Sequence, residues 1–140
     1  MKRRPDEILT EVVLSGAAGW KSTYWKLRRR GSFDFPVLSV AAAVRTAADG
    51  TVEDARIVLG AVASRPILIT GAADALIGNQ LSDEVIAAAA NRAKPMDNAD
   101  FTLQWRKRVT PAFVSYALCE LRGDDVRELR RSVARHELLA

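Results

Sequence analysis

The sequence predicts an α+β fold: a three-stranded antiparallel β-meander packed against a layer of helices, with an additional N-terminal strand and a C-terminal helix. Three observations carry this reading. Between residues 33 and 70, apolar runs with strand-like alternation are separated by the breaks Asp49-Gly50 and Arg65-Pro66. From residue 71 onward the apolar spacing becomes helical, with Phe113, Ala117 and Leu121 four apart. The chain has 140 residues, 49% of them apolar and 27% charged, which suffices for one domain with its own core.

The elements follow in order. Residues 7–14 read as a strand, with Ile8, Thr10, Val12 and Leu14 on one face and Leu9, Glu11 and Val13 on the other. Such a strand is either an edge strand of this sheet or belongs to a sheet outside this chain. Ser15 to Gly19 is small and linker-like. Residues 20–30 place Trp20, Tyr24 and Trp25 beside Lys26, Arg28, Arg29 and Arg30. This reads as an extended segment entering the sheet, its aromatics at the sheet margin and its arginines in solvent. The same mixture would suit stacking on a flat ring, and composition alone favours the packing role.

The meander starts at Pro36, where a missing N–H does least harm to a ladder. Asp49-Gly50 supplies the positive φ of a tight turn, and the chain returns from Val52 with Ala55, Ile57, Leu59 and Ala61 on one face and Asp54 and Arg56 on the other. Residues 67–69 form a short third strand. Residues 71–77 read as a short helix ended by Gly78-Asn79. Ser82 caps the next, with Asp83 and Glu84 in its first turn and Pro95 as its stop. Residues 96–100 are turn-like and 101–108 helical. Thr110-Pro111 marks a new or kinked helix, whose apolar stripe holds Phe113, Val114, Ala117, Leu118 and Leu121. Cys119 and Tyr116 read as packing residues. Gly123 closes that helix, and Asp124-Asp125 opens a last one with the seam Val126, Leu129 and Val133. That seam either docks on the domain or pairs with another chain. The resulting partition is 1–19 (strand and linker), 20–123 (meander plus helices) and 124–140 (C-terminal helix).

The bulk properties narrow the function. A single cysteine allows no intrachain disulfide and points to a reducing, cytoplasmic setting. Lys2-Arg3-Arg4 is followed by Pro5-Asp6-Glu7 rather than an apolar run, so neither a secretion signal nor a membrane span is expected. The net charge of +4 is spread over separate clusters, 2–4, 26–30, 106–108 and 127–135, the last interspersed with acids. Solvated helix faces explain this better than a nucleic-acid patch. His136 and Cys119 cannot together build a metal site or a nucleophile dyad. Asp97 and Asp100 read as loop acids, not an acid–base pair. There is no Gly-x-Gly-x-x-Gly and no P-loop, hence no phosphate cradle. No self-sufficient active site is expected.

Several phrases occur together and in order: Asp6-Glu7-Ile8-Leu9-Thr10-Glu11-Val12, Tyr24-Trp25-Lys26-Leu27, Asp34-Phe35-Pro36 with Val40-Ala41-Ala42, Val52-Glu53-Asp54-Ala55-Arg56-Ile57, and Leu103-Gln104-Trp105-Arg106-Lys107-Arg108. In these the chain resembles the C-terminal domain of the FAD-binding (medium) subunit of molybdenum hydroxylases, the carbon monoxide dehydrogenase and xanthine dehydrogenase family. The resemblance implies a meander packed on helices that flanks the flavin and supports subunit assembly in electron transfer to an external acceptor. It implies no catalysis by this chain alone. Lys26 matches a lysine at the flavin, where its charge would stabilise the anionic reduced ring, and Leu9 an apolar residue near the ring. FAD would be held only together with a separate FAD-binding N-terminal portion, and the implied partners are that portion plus molybdopterin and iron–sulfur subunits. Two departures stand out: the FAD-binding portion is missing, and Ser15-Gly16 stands where the family usually has proline. The alternative expectation is a free-standing module, without flavin, that self-associates through its first strand or its last helix.

Overall fold

Among the described residues, four strands and four helices follow one another without interleaving: β1 (Trp20–Arg28), β2 (Pro36–Thr46), β3 (Val52–Gly60) and β4 (Ile67–Leu68), then α1 (Thr70–Leu76), α2 (Asp83–Ala90), α3 (Leu103–Arg122) and α4 (Arg127–Ala134). The computed structural model describes residues 4–13, 16–31, 33–95 and 101–135. The strands form one antiparallel sheet in the order β1-β2-β3-β4. This is the expected α+β fold, with the meander extended by β1.

Alternation along the strands explains how the sheet finds its core. Leu38, Val40, Ala42 and Val44 of β2 are at most 2% exposed, and Val40 and Ala42 face Leu59 and Ile57 of β3 and Trp25 and Thr23 of β1. The turn between β2 and β3 closes at Gly50 (φ 84°), and the Asp49 carboxylate accepts the Thr51 N–H at 2.9 Å. Side chains at period two therefore deliver one apolar face. Helices α1 and α3 lie on it, with α2 bridging them. Phe113 of α3 meets the Trp25 ring edge-on at 6.1 Å, and Tyr116 lies 5.5 Å away from the same ring.

Three expectations need correction. Residues 7–13 carry no strand: every one is exposed, and none pairs with the sheet. Alternation is present there, but no ladder partner is; Leu14 and Ser15 lie outside the described residues. Second, Thr110-Pro111 starts no new helix. Helix α3 is capped at Thr102, whose hydroxyl accepts from Trp105 N–H at 3.2 Å, and runs continuously through Pro111 to Gly123 (φ 111°). Burial of Val109, Thr110, Phe113 and Val114 around the proline outweighs the one backbone bond it deletes. Third, Arg106 is not solvated. It is 1% exposed and donates to the carbonyls of Val37 and Ala61, each at 3.4 Å. Residues 96–100, with Asp97 and Asp100, and His136 lie outside the described residues.

The question about the C-terminal seam has an answer. Val126 and Val133 are 7% and 8% exposed, and Leu129 packs on the same core, so α4 docks on its own domain. Among the described residues, no helix is long and apolar enough to cross a membrane.

Candidate functional site

Among the described residues, the helices cover one face of the sheet and leave the other open. Pairing aligns its outward residues in rows. Lys26, Ser39 and Gly60 form one, Tyr24, Ala41, Val58 and Leu68 the next, Ser22, Ala43 and Arg56 the third, and Trp20, Arg45 and Asp54 the fourth. The second row is an apolar strip across all four strands, with Tyr24 53% and Leu68 52% exposed at its ends and Ala41 exposed between them. Small side chains at its centre leave an open trough bordered by Tyr24, Ala41, Ala43, Arg56 and Val58. Cations flank the strip on both sides. Lys26 lies on one, while on the other Arg45 and Arg56 stand 5.5 and 5.1 Å from the Trp20 ring centroid, a cation–π arrangement that holds them at the sheet surface.

Lys26 takes its place because it follows Trp25 in β1. Trp25 points into the core, so its neighbour must project from the open face. Its row is crowded by design: a Cβ on Gly60 would come within 2.4 Å of the Ser39 hydroxyl oxygen, so only glycine lets Ser39 lie flat beside Lys26. Lys26 is half-buried and also borders a hollow of about 120 Å³ at the β1 margin, shared with Arg28, Arg130, Val133 and Ala134. Leu9 sits in the unpaired N-terminal stretch and is 74% exposed, so it is not a core residue. The two candidates thus belong to different parts of the molecule, one in the sheet and one outside it.

The family model described as the CO dehydrogenase flavoprotein C-terminal domain matches residues 22–121. The chain belongs to this family. Among solved structures it is similar to a carbon monoxide dehydrogenase from Hydrogenophaga pseudoflava that lacks the Mo-pyranopterin moiety of the molybdenum cofactor, with 29% identity and a TM-score of 0.67 over 76% of this chain and 38% of that one. Quinoline 2-oxidoreductase from Pseudomonas putida 86 (24% identity, TM-score 0.62, 73% and 36% covered) has the same fold. So does a reconstituted CO dehydrogenase from Oligotropha carboxidovorans (22%, 0.64, 71% and 36%). Among curated proteins there is no match. The chain spans well under half the length of the structures it resembles.

A CO dehydrogenase flavoprotein C-terminal domain is the context in which the open face must be tested for fit to FAD. The strip of Ala41, Val58 and their neighbours is apolar and nearly free of bulk, which suits a flat ring system, and Lys26 at its border supplies a cation. The diphosphate finds no counterpart, since the sequence has neither a Gly-x-Gly-x-x-Gly nor a P-loop. The residues present fit one wall of the ring and not the dinucleotide's tail. Among the described residues, no group of three or more His, Cys, Asp or Glu is placed to hold a metal.

Behind β1, a cluster that sequence reading missed fastens α4. Glu120 of α3 accepts from Trp25 Nε1 at 2.9 Å, from the Thr23 hydroxyl, and from Arg130 of α4 at 2.7 and 2.8 Å. The Arg130 guanidinium also stacks 4.3 Å over the Trp25 ring. Burial pushes the Glu120 carboxyl up, but the hydrogen bonds from Arg130, Thr23 and Trp25 outweigh it and hold the group below the usual carboxylate range. The signal in the sequence is weak: an acid near the end of α3 that no pattern singles out, and an arginine ten residues later in a cluster read as solvated.

Proposed function

We propose that this domain is one wall of a flavin cleft: the C-terminal domain of a FAD-containing oxidoreductase subunit of the molybdenum hydroxylase type, completed by a separate FAD-binding portion. The single observation behind this reading is the uncovered sheet face, an apolar strip of small residues edged by Lys26, in a chain of the flavoprotein C-terminal family. When bound, the flavin would supply electron transfer between the enzyme's donor centres and an external acceptor. The chain itself would do three things. The strip would exclude water from the ring, the rigid helix-backed sheet would fix the ring's position, and Lys26 would favour the more electron-rich reduced state. Leu9 would add an apolar contact near the ring once the other portion is present. Molybdopterin and iron–sulfur subunits are the further partners of such an assembly.

The test is to mix the purified chain with the FAD-binding portion encoded beside it. Where none is, the corresponding portion of the Hydrogenophaga pseudoflava enzyme serves. Flavin retention should rise and flavin fluorescence should change on mixing. Lys26→Ala should lower the midpoint potential by tens of millivolts, roughly 30 mV for each 1.4 kcal/mol of lost charge stabilisation in a two-electron couple. Unchanged fluorescence, or stoichiometric flavin on the purified chain alone, would overturn the proposal.

A further inference from the structure

The second half of β1 alternates core and cation. Trp25 and Leu27 are at most 1% exposed, and Lys26 and Arg28 follow them as half-buried residues. Two apart on one strand, Lys26 and Arg28 project to the same side. β1 is an edge of the sheet, and α4 docks behind it and brings Arg130 to the same margin. These three cations, with Trp25, Val133 and Ala134, line the hollow of about 120 Å³. None of these lining residues is acidic. Glu120 offsets Arg130, and the C-terminal end of α4 adds about half a negative charge. The described lining stays cationic.

We infer that this hollow is a binding site for a small oxyanion, with the phosphate group as the class it fits. Charge, preorganisation and size point the same way. Cations that converge on a concave, apolar wall focus a positive potential, and Trp25 and Val133 supply that wall. Arg130 is set before any ligand arrives. Its guanidinium donates to Glu120 at 2.7 Å and lies 4.3 Å over the Trp25 ring, so little side-chain freedom is left to lose on binding. A guanidinium fork matches the spacing of phosphate oxygens, and Lys26 adds a point charge. At roughly 30 Å³ per water the hollow has room for about four waters, enough for a tetrahedral oxyanion and too little for a nucleotide. A phosphate ester would therefore seat its phosphate and leave the rest outside. The site goes beyond the flavin wall and does not depend on it. Lys26 borders both, so an anion held here would draw the lysine's charge away from the ring.

Calorimetric titration of the whole chain with inorganic phosphate, at fixed ionic strength, tests this. Binding should saturate with a Kd of about 1 mM or tighter, and sulfate should compete. Lys26→Gln and Arg28→Gln should each weaken it roughly tenfold, as expected for the loss of one charge-assisted hydrogen bond. Arg130 is left in place, because replacing it would unpair Glu120. Arg65→Gln removes an exposed cation from the connection between β3 and β4 and should leave binding unchanged. A phosphomonoester as the second probe separates two sources of the same group. Tighter binding than inorganic phosphate assigns the site to the phosphate end of a larger molecule, equal binding assigns it to the free ion, and either supports the site. No saturation by roughly 20 mM phosphate would overturn the inference. Equal weakening by all three substitutions would do so too, since net charge alone would then be attracting the anion.

Discussion

On one face of the sheet Trp25, Leu27, Val40, Ile57 and Leu59 are at most 1% exposed, while on the other Tyr24 and Leu68 are about half exposed and Ala41 is open to solvent. The same strands build both faces, so propensity does not separate them. What separates them is cover. The inward face carries bulky residues that α1 and α3 bury, and the outward face carries small ones with cations at the borders. A sheet with one wet face is common in antiparallel folds, but there the wet face is polar. Here its centre is Ala41, Ala43 and Val58, and this small, apolar composition is what the proposed flavin wall rests on.

The largest expected effect comes from testing the inward face against the outward one. Phe113 is fully buried against Trp25, so Phe113→Ala should cost about 3–5 kcal/mol in urea unfolding. Ala41→Ser should stay within about 0.5 kcal/mol. Equal losses would mean that the outward face is packed in solution and would end its reading as a docking wall.

Next is the fastening of α4 behind β1. Glu120 satisfies Trp25, Thr23 and Arg130 at once, so Glu120→Ala should cost about 2 kcal/mol, within the range for hydrogen bonds to charged groups. The pH dependence has a definite sign. The folded carboxyl titrates below its ordinary value of 4.5, so its contribution is fully present above pH 4.5 and is lost as pH falls through the lower folded value. Urea midpoints should decline across that window, and Glu120→Gln should flatten the decline. A variant with an unchanged acid limb would show that α4 is held by Val126, Leu129 and Val133 alone.

Why the inward face was legible and the outward one was not follows from the range of the signals. Asp49-Gly50 and the alternation Ala55, Ile57, Leu59 are local, and they place β2, β3 and their turn. The stripe Phe113, Ala117, Leu121 is equally local. The rows of the outward face exist only through register: Lys26, Ser39 and Gly60 are neighbours because β1 to β3 pair as they do, and no short-range pattern contains that. Arg106 was misplaced for the same reason, since the carbonyls it binds lie 69 and 45 residues away in sequence. Residues 7–13 failed in the opposite direction. Their pattern is strand-like, but among the described residues they pair with neither edge of the sheet. Of the candidate site, Lys26 was named through resemblance alone, and the apolar strip beside it was not named at all.

The smallest expected effect sharpens the boundary between the faces. Gly60 and Ala61 lie where the chain leaves β3, and they divide the labour in an unexpected way. Gly60 has ordinary backbone angles and is glycine for space, because Ser39 fills the place of its Cβ. Ala61 has φ 61°, where glycine would be at ease, and an L side chain is strained. The Arg106 guanidinium donates to the Ala61 carbonyl and fixes the bend from inside the core. Ala61→Gly should therefore relieve strain and stabilise the domain by about 0.5–1 kcal/mol, less the extra entropy of the unfolded chain. Gly60→Ala should instead destabilise, since either Ser39 or the backbone must move, and Ser39→Ala should rescue it by removing the hydroxyl. Rescue of Gly60→Ala by Ser39→Ala, with none by Arg106→Lys, would separate the crowding on the outward face from the bend anchored on the inward one.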